Sequence, residues 1–283
     1  MRLAWCLSLS VLLFACNPSE DSVPAFIDSS SVDLVTTVSQ GSNSHGISEL
    51  WMYVDGNVLG VLDTPVSLPV LEEGNHTLSF YAGIKNNGMG TSRIRYPFYA
   101  GFDTTLNLRS GEHYTVNPTF RYTTDALVDA TRNFEAGNSF VEVSSNQGQI
   151  ELLNNPDLAS GGVRCVRMKL PADAGILSYV DESNITLSSG EIGFLEMDYS
   201  CNNTFIVGLY VVSNGDSEKV PVLYLTPTNE GDGSQPTWNK VYMDLGMMAA
   251  QYPSTDYFRL YIECTRSEAL IPTIYLDDLK IVK

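Results

Sequence analysis

The sequence predicts an all-β protein: an N-terminal immunoglobulin-like β-sandwich followed by a C-terminal jelly-roll β-sandwich. Two observations carry this. Apolar residues alternate at period two in short runs, and Gly, Asn and Pro turns separate the runs at fairly regular spacing. Nothing in the first block shows a helical period. The 283 residues suffice for one large β domain or two of ordinary size, and the run spacing favours two.

Strand chemistry begins at Ser48. Leu50, Met52 and Val54 alternate with Trp51, Tyr53 and Asp55, and Asp55-Gly56-Asn57 supplies the turn of a tight hairpin. Runs at 66–71, 77–82, 93–99, 104–108 and 114–120 follow, interrupted by a turn at 72–75, a Gly/Asn-rich loop at 85–90 and Ser110-Gly111. The first domain is therefore expected at 33–122. Residues 123–133 are polar and read as the interdomain linker, with 125–130 able to make at most a turn of helix. Further runs at 140–143, 163–170, 192–199, 205–212, 220–225, 240–245, 257–264 and 273–282 place a second domain at 134–283. Eight strands with irregular loops fit two antiparallel sheets packed as a jelly roll.

Ahead of the domains, Arg2 precedes an apolar run, 3–14, that ends at Ala15-Cys16. The run is too short to span a bilayer and has the basic and apolar regions of a secretory signal, expected at 1–15. Residues 16–32 are polar, serine-rich and punctuated by proline, a composition that buries too little to fold alone, and read as a tether. The junction Leu13-Phe14-Ala15-Cys16 resembles the lipobox of bacterial lipoproteins, although Phe14 is bulkier than usual there. That resemblance implies a diacylglyceryl group on Cys16. Glu20-Asp21 resembles the acidic stretch by which Bacteroidetes lipoproteins reach the outer face of the outer membrane, and an ordinary acidic linker explains the pair as well.

The chain carries 16 basic and 33 acidic residues, a formal charge of −17. Nucleic acid and anionic membrane surfaces are bound through Lys/Arg patches, so neither is an expected partner and membrane contact is expected through lipid only. Cys165, Cys201 and Cys264 lie at the edges of apolar runs, where spacing decides neither a disulfide nor buried thiols. No zinc spacing, nucleophile elbow or phosphate loop occurs. His45, His76 and His113 stand in polar or turn contexts. Glu151, Glu191, Glu196 and Asp198 are read as solvated faces, although counting carboxylates does not exclude a glycosidase pair. No catalytic residue is therefore assigned.

Two further resemblances add to this. Trp51-Met-Tyr-Val-Asp-Gly56, Leu59-Gly60, Thr64-Pro65, 68–71, Ala82-Gly-Ile84, Asn87-Gly88 and Tyr96-Pro-Phe-Tyr99 resemble uncharacterised Bacteroidetes surface lipoproteins. The segments Asn133-Phe-Glu135, Trp238 with Val241-Tyr-Met-Asp-Leu245, and Ile274-Tyr-Leu-Asp-Asp-Leu-Lys-Ile281 resemble galactose-binding-like jelly rolls, the fold of many carbohydrate-binding modules. This second resemblance implies extracellular glycan as ligand and a structural calcium between Glu135 and Asp277, oxygen ligands suited to a hard cation. Tyr96, Phe98 and Tyr99 cluster beside the loop at 86–92 and are the expected sugar-stacking residues, while Trp238 is expected as a core anchor. The alternatives are an adhesin or envelope-assembly subunit binding a cell-envelope protein, and a glycan-active hydrolase. An exposed aromatic surface on the second domain favours glycan, whereas a broad apolar patch or unpaired sheet edge favours a protein partner.

The lipobox-like junction predicts that Cys16→Ser abolishes palmitate incorporation. Label retained in the variant, together with outer-membrane fractionation, would place the anchor elsewhere.

Overall fold

Residues 23–229, 231–267, 269 and 271–283 are described by the structure, a computed structural model. The expected signal peptide and Cys16 lie outside the described residues. In the first sandwich, Glu49–Val54 pairs with Asn57–Asp63 on one side and Gly74–Lys85 on the other, and Gly74–Lys85 also pairs with Arg93–Arg95 and Phe102–Leu108. The hairpin expected after Val54 forms, with Asp55 and Gly56 both at positive φ, 47° and 80°, as a two-residue primed turn needs. Facing this sheet is a three-stranded one, Val66–Val70, Ala25–Ser29 and His113–Thr115. Ala25–Ser29 falls in the segment expected as tether. Ala25 and Ile27 are buried in the sandwich core, because even this short run alternates at period two.

The second sandwich packs two antiparallel sheets. One runs Gln149–Asn154, Arg164–Lys169, Thr273–Val282, Phe194–Cys201 and Asn239–Asp244; the other runs Phe140–Glu142, Ile176–Asp181, Tyr257–Thr265, Phe205–Ser213 and Asp216–Leu225. Val128–Arg132 also pairs with Thr273–Val282, so part of the stretch expected as linker is a strand of this sandwich. No helical turn forms at 125–130. The single α-helix among the described residues is Leu245–Gln251, whose first turn is capped by Asp244 Oδ1 accepting from Met247 N at 3.1 Å. The three cysteines are buried, with no disulfide among the described residues.

Phe194–Cys201 and Thr273–Val282 are buried at every position. Leu195, Met197, Tyr199 and Cys201 fill the core between the two sheets, as do Ile274, Leu276, Leu279 and Ile281. The opposite face carries Glu196, Asp198, Asp277, Asp278 and Lys280; the first sandwich meets it at Glu196, Asp278 and Lys280, and the second sandwich's own loop at 160–161 meets it at Asp198 and Asp277. Glu196 and Asp198 are 0% and 1% exposed, which corrects their reading as solvated acids. Alternation marked the side chains that leave the sandwich core but not what lies beyond them.

Charge pairing makes that burial tolerable. Lys240 Nζ lies 3.2 Å from Asp198 Oδ1, 3.5 Å from Asp278 Oδ2 and 3.7 Å from Glu196 Oε2. Burial opposes its charge, yet Asp198, Glu196 and Asp278 hold its pKa above the ordinary lysine value. Lys280 Nζ reaches Asp278 at 3.2 Å and donates to Ser42 O at 2.6 Å. From the first sandwich, Tyr96 Oη donates to Glu196 Oε1 at 2.8 Å and Tyr122 Oη lies 3.0 Å from both Glu196 oxygens. A β-bulge, with Asp278 at φ 45°, shifts the register opposite Met197 and turns both Asp277 and Asp278 outward.

Removing Glu196 leaves two buried tyrosine hydroxyls without their carboxylate acceptor and takes one buried charge from beside Lys240, which keeps Asp198 and Asp278. Glu196→Ala is expected to cost about 3–5 kcal/mol of stability, read from urea denaturation midpoints. A loss below about 1 kcal/mol would mean that this network does not hold the two sandwiches together.

Candidate functional site

With its six-stranded sheet covered by the first sandwich, the second sandwich has one other broad sheet face, the outer face of the five-stranded sheet. In its central strands Phe205, Val207, Leu209 and Val211, and Phe258, Leu260, Ile262 and Cys264, point into the core. The intervening residues therefore point outward. Cross-strand pairing brings them into rows: Lys219, Tyr210 and Arg259; Pro221, Gly208, Tyr261 and Val180; Tyr224, Ile206, Glu263 and Ser178. Tyr257 stands beside Val212 at the end of the same face.

Gly208 makes the centre of this surface possible. A Cβ there would come within 2.4 Å of the Tyr261 ring, so only glycine leaves the space that the ring occupies. Tyr210 tilts against Tyr261 with centroids 5.4 Å apart, and Lys219 Nζ sits 4.5 Å from the Tyr261 centroid and pairs with Glu263. Arg259 stacks on Tyr257 at 5.2 Å and donates from Nε to Asn184 Oδ1 at 2.9 Å. Tyr261 is buried beneath these groups, Tyr210 and Tyr257 are half-buried, and Tyr224 is exposed. Burial first, and Glu263 next, hold the Tyr261 phenol above its usual value, so it stays protonated at neutral pH. The arrangement can stack a ring-shaped apolar face on Tyr210 and Tyr257 and offer hydrogen bonds from Lys219, Arg259 and Glu263 around it.

The residues expected to stack on sugar lie elsewhere. Tyr96 and Tyr99 are 1% and 4% exposed and Phe98 is half-buried. Tyr96 packs against Tyr99, Phe98, Phe194 and Tyr242 at centroid distances of 4.6–5.7 Å. Their dense aromatic spacing serves the seam between the sandwiches, so Tyr96 and Tyr99 offer no ring face to a ligand. Trp238, expected as a core anchor, is half-buried and meets Tyr275 edge-on at 6.3 Å. His76 and His113 bond to Asp55 and Asp28 at 2.6 and 2.8 Å, in line with turn and surface roles. Sequence reasoning passed over Tyr210, Tyr257 and Tyr261. The signal was present: 257–264 alternates Tyr, Arg, Tyr, Glu with Phe, Leu, Ile, Cys, an aromatic and charged face against an apolar one.

Glu135 and Asp277, the expected calcium ligands, do face one cavity of about 250 Å³, with Ser42, Asn133 and Asp278 also lining it. Three of their four carboxylate oxygens are already engaged. Glu135 Oε1 accepts from Val163 N and Arg164 N at 2.7 and 2.9 Å. Asp277 Oδ2 accepts from Ser160 N and Gly161 N at 2.8 and 3.1 Å, and Oδ1 from Asp278 N at 2.7 Å. Among the described residues no group of three or more His, Cys, Asp or Glu side chains is arranged to hold a metal ion. The two carboxylates by themselves therefore fall short of the six to eight oxygens that calcium takes. Both carboxylates instead pin the loop at 160–164 to the sheet.

No family model and no curated protein matches this chain. Among solved structures, the chain is similar to carbohydrate-binding modules of the β-sandwich superfamily, at 13% identity over 92% of this chain and 98% of that one, with a TM-score of 0.41. It is similar to a family 30 carbohydrate-binding module at 16% identity over 51% of this chain and 77% of that one, TM-score 0.35. A Clostridium thermocellum xylanase carrying a family 22 module is similar at 14% identity over 56% of this chain, TM-score 0.37, and the chain spans only 28% of that protein.

Burial outweighs the backbone donors at Asp277 and pushes its pKa up to about 7. The folded value thus exceeds the unfolded one of about 3.9. Between these values the native state binds more protons than the unfolded one. The stability this group contributes is complete below about pH 4 and lost as pH rises through 7. Asp277→Asn should flatten that part of the melting temperature against pH; an unchanged slope would show that another group titrates. Calcium and magnesium at equal ionic strength should shift the melting temperature equally, and a calcium-specific rise would restore the metal site.

Proposed function

We propose that this protein is a lipid-anchored binding protein of the outer membrane, facing the cell exterior, that captures extracellular glycan without chemical turnover. The observation that carries the binding reading is the row of tyrosines and charged groups on the outer face of the five-stranded sheet. Sugar rings present C–H faces that pack on aromatic rings and hydroxyls that need directional partners, and this face holds both kinds of group. Glu263 is tied to Lys219 and to Ser178 rather than set against a second carboxylate, so it supports binding and not hydrolysis. The apolar run before Cys16 and the polar stretch behind it support export and lipid anchoring. Glu20-Asp21 supports display on the outer face.

A protein partner is the second reading, favoured by one observation. Asn57–Asp63 is an edge strand, and Val58 and Val61 on it are 68% and 41% exposed.

A glycan array probed with the full-length protein tests the first reading. Binding should weaken by about 1–2 kcal/mol, roughly 5–30-fold in Kd, in each of Tyr210→Ala and Tyr257→Ala. A wild-type protein that binds no glycan on the array would overturn the reading. Capture unaffected by either substitution would move the site off this face.

A further inference from the structure

The outer face of the first sandwich carries a second group of aromatic side chains. Leu50, Met52, Val54, Leu78, Phe80 and Ala82 point into the core. Trp51, Tyr53 and Tyr81 therefore project from the other side of the sheet. Trp51 and Tyr81 are direct cross-strand partners, with Val61 completing the row. Tyr53 meets Tyr81 edge-on with centroids 5.5 Å apart. All three rings are partly exposed, and among the described residues none buries them as the second sandwich buries Tyr96 and Tyr99.

Each ring is held. Trp51 Nε1 donates to Glu49 Oε1 at 3.1 Å, and Glu49 Oε2 accepts from Arg93 Nη1 at 2.9 Å, which fixes the indole. Gly101 makes room for Tyr81, since a Cβ there would come within 2.6 Å of its ring. Arg95 stacks its guanidinium on Tyr81, 3.9 Å from the centroid.

Arg95 gives the surface its chemistry. Arg93 is neutralised by Glu49 and Asp63. Arg95 is exposed, and no ion pair with a carboxylate is formed by it among the described residues. In a chain with a formal charge of −17, an exposed guanidinium oriented by a ring and left with unused donors is complementary to an anion. A planar, always charged fork matches carboxylate or sulfate, and the neighbouring rings match the face of a sugar. We infer that Trp51, Tyr53, Tyr81 and Arg95 form a second binding surface, for a glycan bearing carboxylate or sulfate groups. It rests on the reading that the chain binds glycan but uses a different sandwich and different residues.

The test is affinity electrophoresis of the full-length protein through polygalacturonate, its fully methyl-esterified counterpart, alginate and chondroitin sulfate. Wild type should be retarded at least fivefold more by one acidic polymer than by the neutral ester, and the difference should shrink with added salt. Arg95→Gln should remove the acidic preference, and Tyr53→Ala should weaken retention of the same polymer. Arg109→Gln, which removes an exposed guanidinium outside both surfaces, should leave it unchanged, with melting temperatures confirming that each variant is folded. An Arg95→Gln protein that keeps the wild-type preference overturns the inference, as does a preference lost equally in Arg109→Gln. Failure to bind any acidic polymer also overturns it. Neutral-glycan binding that persists through the second sandwich would leave the first reading standing, whereas loss of all glycan binding would remove both.

Discussion

Glu196 is the group on which the arrangement of the two sandwiches depends. It sits on a strand with no exposed residue, accepts from two tyrosines of the first sandwich and lies within ion-pair distance of Lys240 of the second. A carboxylate taken out of water is costly unless all its oxygens are satisfied. The first sandwich supplies part of that satisfaction, so the covered sheet face is compatible with only a narrow set of docking positions. An apolar seam alone would permit sliding. Tyr242 narrows the choice further: its hydroxyl accepts from Gly46 N at 2.9 Å and its carbonyl from Asn87 N at 2.9 Å.

That docking assigns roles to the remaining surfaces. It removes the six-stranded face from solvent together with Tyr96 and Tyr99, and it leaves the five-stranded face of the second sandwich and the Trp51 face of the first open. Both open faces use the same local device. Glycine at 208 and at 101 lets a tyrosine ring lie close to the sheet, and a cationic side chain, Lys219 or Arg95, covers that ring. Rings held this way lose little freedom when a ligand stacks nearby, which favours binding through preorganisation.

Much of the fold was legible from period-two alternation. The turn at Asp55-Gly56, the strand at 273–282, the strand expected at 192–199 and found at Phe194–Cys201, and the all-β class follow from local chemistry acting over a few residues. The strand Ala25–Ser29 was less legible because one short alternation stood between serine-rich stretches, and Val128–Arg132 because its partner, Thr273–Val282, lies far along the chain. The helix Leu245–Gln251 escaped notice because seven residues carry too little of a helical period.

The sequence by itself determined which side chains point to which side of each strand, since backbone pleating fixes that alternation. Only the tertiary structure decided whether the outward side meets water or protein. Glu196 and Asp198 alternate with apolar residues just as Arg259 and Glu263 do, yet the first pair is buried and the second half-exposed. The difference comes from a sandwich more than fifty residues away in the chain packing on one sheet and not the other. Whether that packing occurs depends on long-range complementarity among Tyr96, Tyr122, Lys240 and Glu196, which no local pattern encodes.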